Sequence, residues 1–183
     1  MGIDNKFTIL YSGTMGMKHN PQIIVDTANL LKNHKDILFI VVSEGEGADY
    51  ISKVSEEENL NIKVFPFQDF KDLPKVLASA DILLTILEKD AGVFSVPSKV
   101  WSYYCSSRAS FLNVPNNNLS AKITISNNAG VLVKDNEDFA NQIKYFKNNL
   151  NELKEMGFNA RVYAENNFKI DNIANSFLKL IKA

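Results

Sequence analysis

The stretch that decides the fold is Phe7-Thr8-Ile9-Leu10-Tyr11-Ser12-Gly13-Thr14-Met15-Gly16. Its first six residues have the length and the largely apolar character of a buried strand, and a loop with two glycines follows at once. Pro21 then stands where a helix can begin, and Asn20 before it is the predicted helix cap. The stretch therefore predicts a strand, a glycine loop and a helix in direct succession.

The same succession of an apolar run and a helical segment continues along the chain. Further strands are predicted at Ile37–Ser43, Ile62–Phe65, Asp81–Leu87, Ala109–Val114 and Gly130–Lys134. Helices are predicted from Pro21, over Asp49–Glu58, from Asp72 through Ala80, from Pro97 and over Leu119–Ser126. The strands are apolar throughout, as expected when helices cover both faces of a parallel sheet. The sequence therefore predicts a doubly wound α/β domain with a parallel sheet of about six strands.

After Asp135 the apolar spacing is helical to the end of the chain. The apolar residues at this spacing are Phe139, Ile143, Phe146, Leu150, Leu153, Ile173, Phe177 and Ile181. Gly157 is expected to interrupt the helical region. We therefore expect residues 1–183 to form one domain, with residues 1–6 as a linker and residues 135–183 as a helical tail.

The composition excludes several classes of protein. The 20 Lys and Arg residues nearly balance the 21 Asp and Glu residues, so no strong field is available to hold nucleic acid. The longest apolar runs, such as Ile37–Val42, are too short to cross a membrane, and residues 1–6 lack the apolar core of a secretory signal. A single cysteine, Cys105, excludes an internal disulfide and suits a cytoplasmic location. No metal site is expected, because only two histidines accompany that thiol.

Ligands of an open parallel sheet bind beyond the carboxyl ends of its strands, so the loops there hold the candidate site residues. The first loop is Gly13-Thr14-Met15-Gly16, whose glycines allow a ligand close to the backbone and whose following helix favours an anion. It is neither a Gly-x-Gly-x-x-Gly motif nor a P-loop, and ordinary turn chemistry is the alternative. His19, in the same loop, is a candidate for ligand contact, and a solvated side chain is the favoured alternative.

Two further candidate loops follow the second and third strands. Gly45, in Glu44-Gly45-Glu46-Gly47, is a candidate for close contact with the neutral part of a ligand, and a plain turn is the alternative. Phe67, in Pro66-Phe67-Gln68-Asp69-Phe70, is a candidate for contact with a nucleotide base. The alternative for this third loop is that Phe65 and Phe70 fill the core.

The fourth loop, Ser95-Val96-Pro97-Ser98-Lys99, carries the strongest signal. Pro97 at the first helical position would leave the amides of Ser98 and Lys99 unpaired. A cation in the first turn is unfavourable by about a few tenths of a kcal/mol, so this lysine is better explained by a facing anion such as a diphosphate. An exposed lysine without a role is the alternative. The residues predicted to be buried on this helix are Val100, Trp101, Tyr104 and Cys105, with Ser98 and Ser102 on the other face.

Four stretches stand in a fixed order along the chain: Tyr11–Gly16, Ala78–Leu84, Val96–Tyr104 and Glu165–Phe168. Together they resemble the C-terminal domain of GT-B fold glycosyltransferases of the family 4 type, over nearly the whole chain. Within them, Met15-Gly16-Met17 and Pro97-Ser98-Lys99 particularly resemble bacterial enzymes that build capsule, O-antigen or colanic-acid polysaccharides.

The resemblance implies the donor-binding half of a retaining glycosyltransferase of the hexosyltransferase type. Its substrate is expected to be a UDP- or GDP-sugar, with UDP favoured over GDP. It implies no cofactor and no obligatory metal, because helix amides and a cation stabilise the departing diphosphate. By resemblance, Lys99 meets the diphosphate, the loop Gly13–Gly16 lines the same cleft and the loop at Phe67 meets the base.

The resemblance also implies partners. The acceptor and the catalytic base belong to an N-terminal domain outside this chain, so the isolated domain is expected to be inactive. The last helix is expected to cross to that domain, and in its absence to be exposed or to pair in a dimer. The parent enzyme is expected in the cytoplasm, in peripheral contact with the membrane.

Two positions depart from the family's Glu-x7-Glu pattern, because Phe94 and Ser102 stand where glutamates are common. A serine hydroxyl can hydrogen-bond a ribose but lacks the charge that strengthens such bonds. A non-catalytic or split-enzyme module acting through a partner chain is therefore one alternative. Half of a nucleotide-sugar epimerase is the other, although such enzymes use acidic residues and histidines that are scarce in these loops.

Overall fold

The structure, a computed structural model, describes residues 6–16, 19–88 and 95–181. Its strands are β1 (Phe7–Ser12), β2 (Ile37–Val42), β3 (Ile62–Phe65), β4 (Ile82–Ile86), β5 (Ala109–Asn113) and β6 (Gly130–Leu132). Its α-helices are α1 (Gln22–Leu30), α2 (Glu46–Glu57), α3 (Leu73–Ala78), α4 (Lys99–Cys105), α5 (Leu119–Ser126), α6 (Asn136–Asn148), α7 (Leu150–Asn167) and α8 (Ile170–Ile181).

The six strands form one parallel sheet in the order β3-β2-β1-β4-β5-β6. β1 pairs with β2 along its whole length, from Phe7 beside Ile37 to Ser12 beside Val42. The chain order reverses between β1 and β4, so the gap between these strands is the topological switch point at which ligands of such sheets bind. The predicted doubly wound α/β fold is confirmed, and β1, β3 and α5 lie at the predicted residues.

Alternate residues of the central strands enter two core layers. On one face, Ile9 of β1 packs with residues of α1 and α6, and the rings of Phe39 and Phe139 meet edge to face with centroids 6.1 Å apart. On the other face, Leu10 packs with residues of α3 and α4. Because helices cover both faces, the strands need apolar residues at nearly every position, which is the pattern seen in the sequence.

Two helices begin at residues that differ from the prediction. α1 has Pro21 as its N-cap residue, while Asn20 lies before it with φ 43°, so the prediction that Asn20 caps this helix is wrong. α2 begins at Glu46 rather than Asp49, because Gly45 takes φ 100° and turns the chain into the helix at once. Both differences come from left-handed backbone, which the side-chain pattern does not reveal.

α4 differs from the prediction in its start and in its buried face. It begins at Lys99 rather than Pro97, because the turn before it is closed by bonds such as Val100 N to Pro97 O, 3.2 Å long and three residues apart. Cys105 is exposed and Trp101 is half-buried, contrary to the prediction. The residues that face inward are Val100, Tyr103 and Tyr104, because α4 packs between the sheet and α7.

α7 runs unbroken through Gly157, so the predicted interruption there is wrong. A Cβ on Gly157 would lie 2.4 Å from the carbonyl oxygen of Ser107, which follows α4. Glycine at this position therefore allows α7 to lie close to the neighbouring backbone, although glycine stabilises the interior of a helix less than alanine does.

α8 presents its predicted apolar stripe to solvent. Ile173, Phe177 and Ile181 are 38%, 63% and 79% exposed. Clustered apolar side chains of this size are typical of a surface that docks onto another one. Within the described ranges, no helix is both long enough and apolar enough to cross a membrane.

Candidate functional site

A cavity of about 290 Å³ opens at the carboxyl ends of β1 and β2, beside the switch point. Four of the predicted site residues line it: Gly13, Phe67, Lys99 and Ser102. Their loops are far apart in sequence, and the parallel sheet brings them to one edge. The first, third and fourth predicted loops therefore meet around one cavity.

Lys99 is the central polar residue of this cavity. Its side-chain amine is buried and has no hydrogen-bond partner in the part of the chain that the structure describes. The Nζ atom lies 3.6 Å from the centre of the Tyr11 ring, a cation–π geometry. Burial lowers the pKa of Lys99 to about 7. A buried amine without an acceptor is costly, and an anion entering the cavity would supply the missing acceptor.

Gly13 forms the wall opposite this amine. A Cβ on Gly13 would lie 2.8 Å from Lys99 Nζ, and the residue takes φ +133°, a conformation that L side chains rarely adopt. Its amide donates to the carbonyl of Val42 over 3.1 Å, which anchors the loop to β2. The glycine is therefore required by the approach of Lys99 as well as by the turn.

The rest of the first loop serves mainly to hold this arrangement. Thr14 is exposed, and its carbonyl accepts a hydrogen bond of 2.7 Å from the Tyr11 hydroxyl. Met15 is fully buried in the core, so only its backbone is available to a ligand. The Met15 carbonyl accepts from Gly47 N over 3.0 Å, and Gly16 accepts from His19 N over 2.9 Å.

The second loop contributes a contact that the sequence did not indicate. Gly45 is exposed and does not line the cavity, whereas a Cβ on Gly47 would lie 2.4 Å from the Met15 carbonyl oxygen. The Glu44 carboxylate accepts a hydrogen bond of 3.1 Å from Phe67 N. Glu44 thus fixes the third loop to the end of β2.

The aromatic residues of the third loop face the cavity. Phe67 is 46% exposed and Phe70 is 87% exposed, and both line the cavity wall. The alternative that Phe70 fills the core is therefore wrong, while Phe65 does pack partly against it. Exposed aromatic faces of this kind suit contact with a planar base.

In the fourth loop, Val96 and Ser98 are exposed and Pro97 is half-buried. The amides of Ser98 and Lys99 precede the first backbone bond of the turn, which runs from Val100 N to Pro97 O. α4 has only seven residues, which limits the dipole that the sequence pattern suggested. Phe94, one of the two departures from the family pattern, lies outside the described residues, and Ser102 is exposed at the cavity.

His19 is less solvated than predicted. It is half-buried, and its Nδ1 atom is enclosed without a partner among the described residues. Its pKa is lowered, first by burial and then by the charge of Lys99, which places it within electrostatic reach of the cavity. Glu88 opposes this effect from the end of β4.

Tyr11 and Tyr103 are functional candidates that sequence reasoning missed. Both are 1% exposed, and burial raises the pKa of each hydroxyl, so both stay protonated. In sequence they look like ordinary core aromatics. Their partners, Lys99 for Tyr11 and the backbone of Ser12 for Tyr103, are far away along the chain. Within the described ranges, no three His, Cys, Asp or Glu side chains form a group that could hold a metal.

A wider hollow of about 1140 Å³ lies across the switch point, over the ends of β4, β5 and β6. Its walls include amide and carboxylate side chains, among them Glu88, Asn116, Asn117 and Asp135. Such groups hydrogen-bond readily to hydroxyl-rich molecules. The two hollows share the same edge of the sheet.

Comparison with known proteins identifies the family to which the chain is similar. Residues 2–92 match the model described as "Glycosyl transferases group 1", a segment that ends before Lys99. The chain is 32% identical over 98 residues to the "Putative colanic acid biosynthesis glycosyl transferase WcaI" of Escherichia coli (strain K12), covering 53% of this chain and 24% of that protein. The chain therefore spans about a quarter of this relative's length.

Solved structures share the fold along almost the whole chain. Anabaena Alr3699/HepE in complex with UDP-glucose has a TM-score of 0.81 at 14% identity, covering 99% of this chain and 50% of that one. The C-terminal domain of LpcC from Francisella tularensis, a glycosyl transferase group 1 family protein, has a TM-score of 0.74 at 16% identity, covering 90% and 87%. The match over residues 2–92 assigns this chain to the group 1 glycosyl transferases, and the solved structures show that its domain has a fold found in such enzymes.

Proposed function

We propose that this chain is the donor-binding half of a retaining glycosyltransferase that uses a UDP-sugar, or less favourably a GDP-sugar, in surface polysaccharide synthesis. The observation that carries the proposal is the buried, unpartnered amine of Lys99 at a cavity on the ligand edge of the sheet. Among its fold neighbours, Alr3699/HepE is described in complex with UDP-glucose and with UDP, which favours UDP.

The proposed placement follows the chemistry of the walls. The diphosphate is placed beside Lys99, whose Nζ atom lies against the Gly13 backbone at the wall of the cavity. The base lies against Phe67 and Phe70, and the ribose hydroxyls reach the exposed side chain of Ser102. The sugar ring then points across the switch point toward the wider hollow, whose amides and carboxylates suit hydroxyl groups.

The chemistry proposed for this half is stabilisation of the leaving group. When the bond from the sugar to the diphosphate breaks, negative charge grows on the departing phosphate oxygen, and the Lys99 ammonium stabilises it without a metal or other cofactor. The acceptor and the catalytic base are assigned to an N-terminal domain beyond this chain. We expect the isolated chain to bind the donor and to transfer nothing.

The setting proposed for the parent enzyme is the cytoplasm, at the inner face of the membrane. The name of the Escherichia coli relative suggests a polysaccharide product of the colanic-acid type. α8 is assigned the role of crossing to the N-terminal domain, because Phe177 and Ile181 are exposed on its apolar face. In the isolated chain the same face is free to pair in a dimer.

Titration calorimetry of the purified chain with UDP, GDP and their sugars tests the donor assignment. We expect UDP to bind, and Lys99→Ala to weaken it by about tenfold or more, since a charge-assisted contact is lost. Lys75→Ala is the matched control, because Lys75 is an exposed lysine on α3 that pairs with Asp72. Absence of heat with every nucleotide, or equal losses in both variants, contradicts the assignment.

A non-catalytic or split-enzyme module is the second candidate, and the exposed Ser102 in place of a glutamate favours it. Such a module would act through a partner chain that covers α8. Light scattering of the chain with and without Phe177→Lys checks whether this face drives association. The smaller cavity gives the epimerase alternative no support, since the charged side chain that lines it is Lys99 rather than an acid.

A further inference from the structure

The two central strands separate before they reach the cavity. β1 and β4 pair only at Ile9 beside Ile82 and Leu10 beside Leu83. By contrast, β1 stays paired with β2 as far as Ser12, and β4 stays paired with β5 as far as Ile86. The backbone groups of Ser12 and Leu84 that face the gap therefore need other partners.

The hydroxyl of Tyr103 occupies this gap. It accepts a hydrogen bond from Ser12 N at 3.1 Å, and it lies 3.2 Å from both Ser12 O and Leu84 O, to either of which it can donate. The side chain is 1% exposed, so these bonds are sheltered from water. One side-chain oxygen thus replaces the ladder bonds that are missing at the switch point.

The same hydroxyl sets the distance between two walls of the cavity. Ser12 leads directly to Gly13, and Lys99 lies one turn before Tyr103 on α4. The bond from Tyr103 to Ser12 therefore ties the helix that carries Lys99 to the strand that carries Gly13. The resulting fit is close, since a Cβ on Gly13 would lie 2.8 Å from Lys99 Nζ.

We propose that Tyr103 is a positioning residue for the donor diphosphate: through Ser12, its hydroxyl holds the Gly13 loop at the spacing from Lys99 that the diphosphate needs. This inference rests on the proposed function of the same cavity. It adds a residue that acts through its neighbours, because its own oxygen is already engaged by backbone.

Tyr103→Phe tests this by removing one oxygen while the ring stays in the core. We expect the dissociation constant for UDP to rise about fivefold to twentyfold, since a buried backbone amide loses its acceptor and the Gly13 loop shifts. Tyr104→Phe is the matched control. Its hydroxyl bonds to Thr124 Oγ1 at 2.8 Å, equally buried but away from the cavity. Tyr104→Phe should lower the free energy of unfolding, but its affinity for UDP should stay within about twofold of wild type.

A second measurement does not depend on UDP. Titration of the Lys99 Cε resonance in lysine-labelled protein reports the surroundings of the amine directly. Wild type should titrate near a pKa of about 7, and Tyr103→Phe should titrate higher, because the loosened loop admits water. Tyr104→Phe should titrate as wild type does.

The outcomes separate the two ideas. If wild type binds UDP through Lys99 but Tyr103→Phe keeps both the affinity and the Lys99 titration, the positioning role is overturned and the proposed function stands. Equal changes in Tyr104→Phe overturn it as well, since they indicate general loosening of the core. If wild type binds no nucleotide, the proposed function fails, and the positioning role for a diphosphate fails with it. This failure differs from the first outcome, in which wild type binds UDP and Tyr103→Phe leaves the Lys99 titration unchanged.

Discussion

Lys99 at the start of α4 extends its amine over the ring of Tyr11 in β1, with Nζ 3.6 Å from the ring centre. The ring shields the amine from water and offers its negative face in place of a hydrogen-bond acceptor. Burial lowers the pKa of Lys99 to about 7, so the charged and the neutral amine have similar free energies near neutral pH. This relationship governs how the cavity should respond to pH and to substitution.

The affinity for UDP should fall as the pH rises above about 7. Burial lowers the pKa of Lys99 to about 7, and a bound diphosphate would raise it again, because the opposite charge favours the ammonium form. Binding above this pH therefore takes up a proton, and affinity falls by up to about tenfold per pH unit until the pKa of the complex is reached. His19 and Tyr11 do not contribute to this pH dependence, because burial lowers the pKa of His19 and raises that of Tyr11.

Calorimetry in two buffers of different ionisation enthalpy measures this proton uptake. Lys99→Met should bind weakly and without pH dependence between about pH 7 and 9. An affinity that is flat in the wild-type protein over this range contradicts the prediction.

Lys99→Met should stabilise the free protein near neutral pH. The folded-state pKa is lowered from 10.5 to about 7, so the unfolded chain binds this proton more tightly. The cost to the folded state is therefore complete below about pH 7 and fades as the pH rises toward the ordinary lysine value. We expect a gain of about 1–3 kcal/mol in the free energy of unfolding near pH 7, and a smaller one near pH 10.

Urea denaturation of the wild-type protein and Lys99→Met at both pH values tests this prediction. A variant that gains stability while it loses UDP affinity would show that the lysine is kept for binding at a cost in stability. Lys75→Met is the control, and its free energy of unfolding should lie within about 0.5 kcal/mol of the wild-type value, because Lys75 is exposed. If Lys99→Met gains the same stability at both pH values, burial of the lysine charge is not the cause of the gain.

Gly13→Ala should cost about 1–3 kcal/mol of stability and weaken UDP binding, because φ +133° and the 2.8 Å approach to Lys99 Nζ both oppose a side chain. Gly16→Ala is the control in the same loop, since the nearest atom to a Cβ there is His19 Nδ1 at 3.9 Å. Thermal unfolding of both variants should separate them clearly. Similar losses would mean that the loop, and not this contact, requires glycine.

Glu44→Ala should lower the affinity for UDP by about threefold to tenfold, because its carboxylate no longer holds Phe67 N and the third loop loosens at the base-binding wall. Glu44→Gln retains an acceptor and should recover most of the affinity. Glu46→Ala, an exposed acid two residues on, should have little effect. Calorimetry with UDP ranks the three variants, and an unchanged affinity in Glu44→Ala contradicts a role for this contact.

The sequence by itself determined the fold class and the order of the elements. Buried strands such as Ile37–Val42 are apolar at every position, and a helix follows each strand, so a parallel sheet covered on both faces is the one architecture that buries these residues. The rule that ligands meet the carboxyl ends of such strands then selected Gly13, Phe67 and Lys99, and the family resemblance added Ser102. The structure places these four residues around one cavity.

The tertiary structure alone decided the contacts that give these residues their chemistry. The pairings of Tyr11 with Lys99, of Tyr103 with Ser12 and of Glu44 with Phe67 join residues that are remote in the chain. Gly157 likewise looks like a helix break in sequence, and only its approach to Ser107 shows it as a packing position. Periodicity records which face of an element is apolar, but it carries no information about which distant backbone or ring that face will meet.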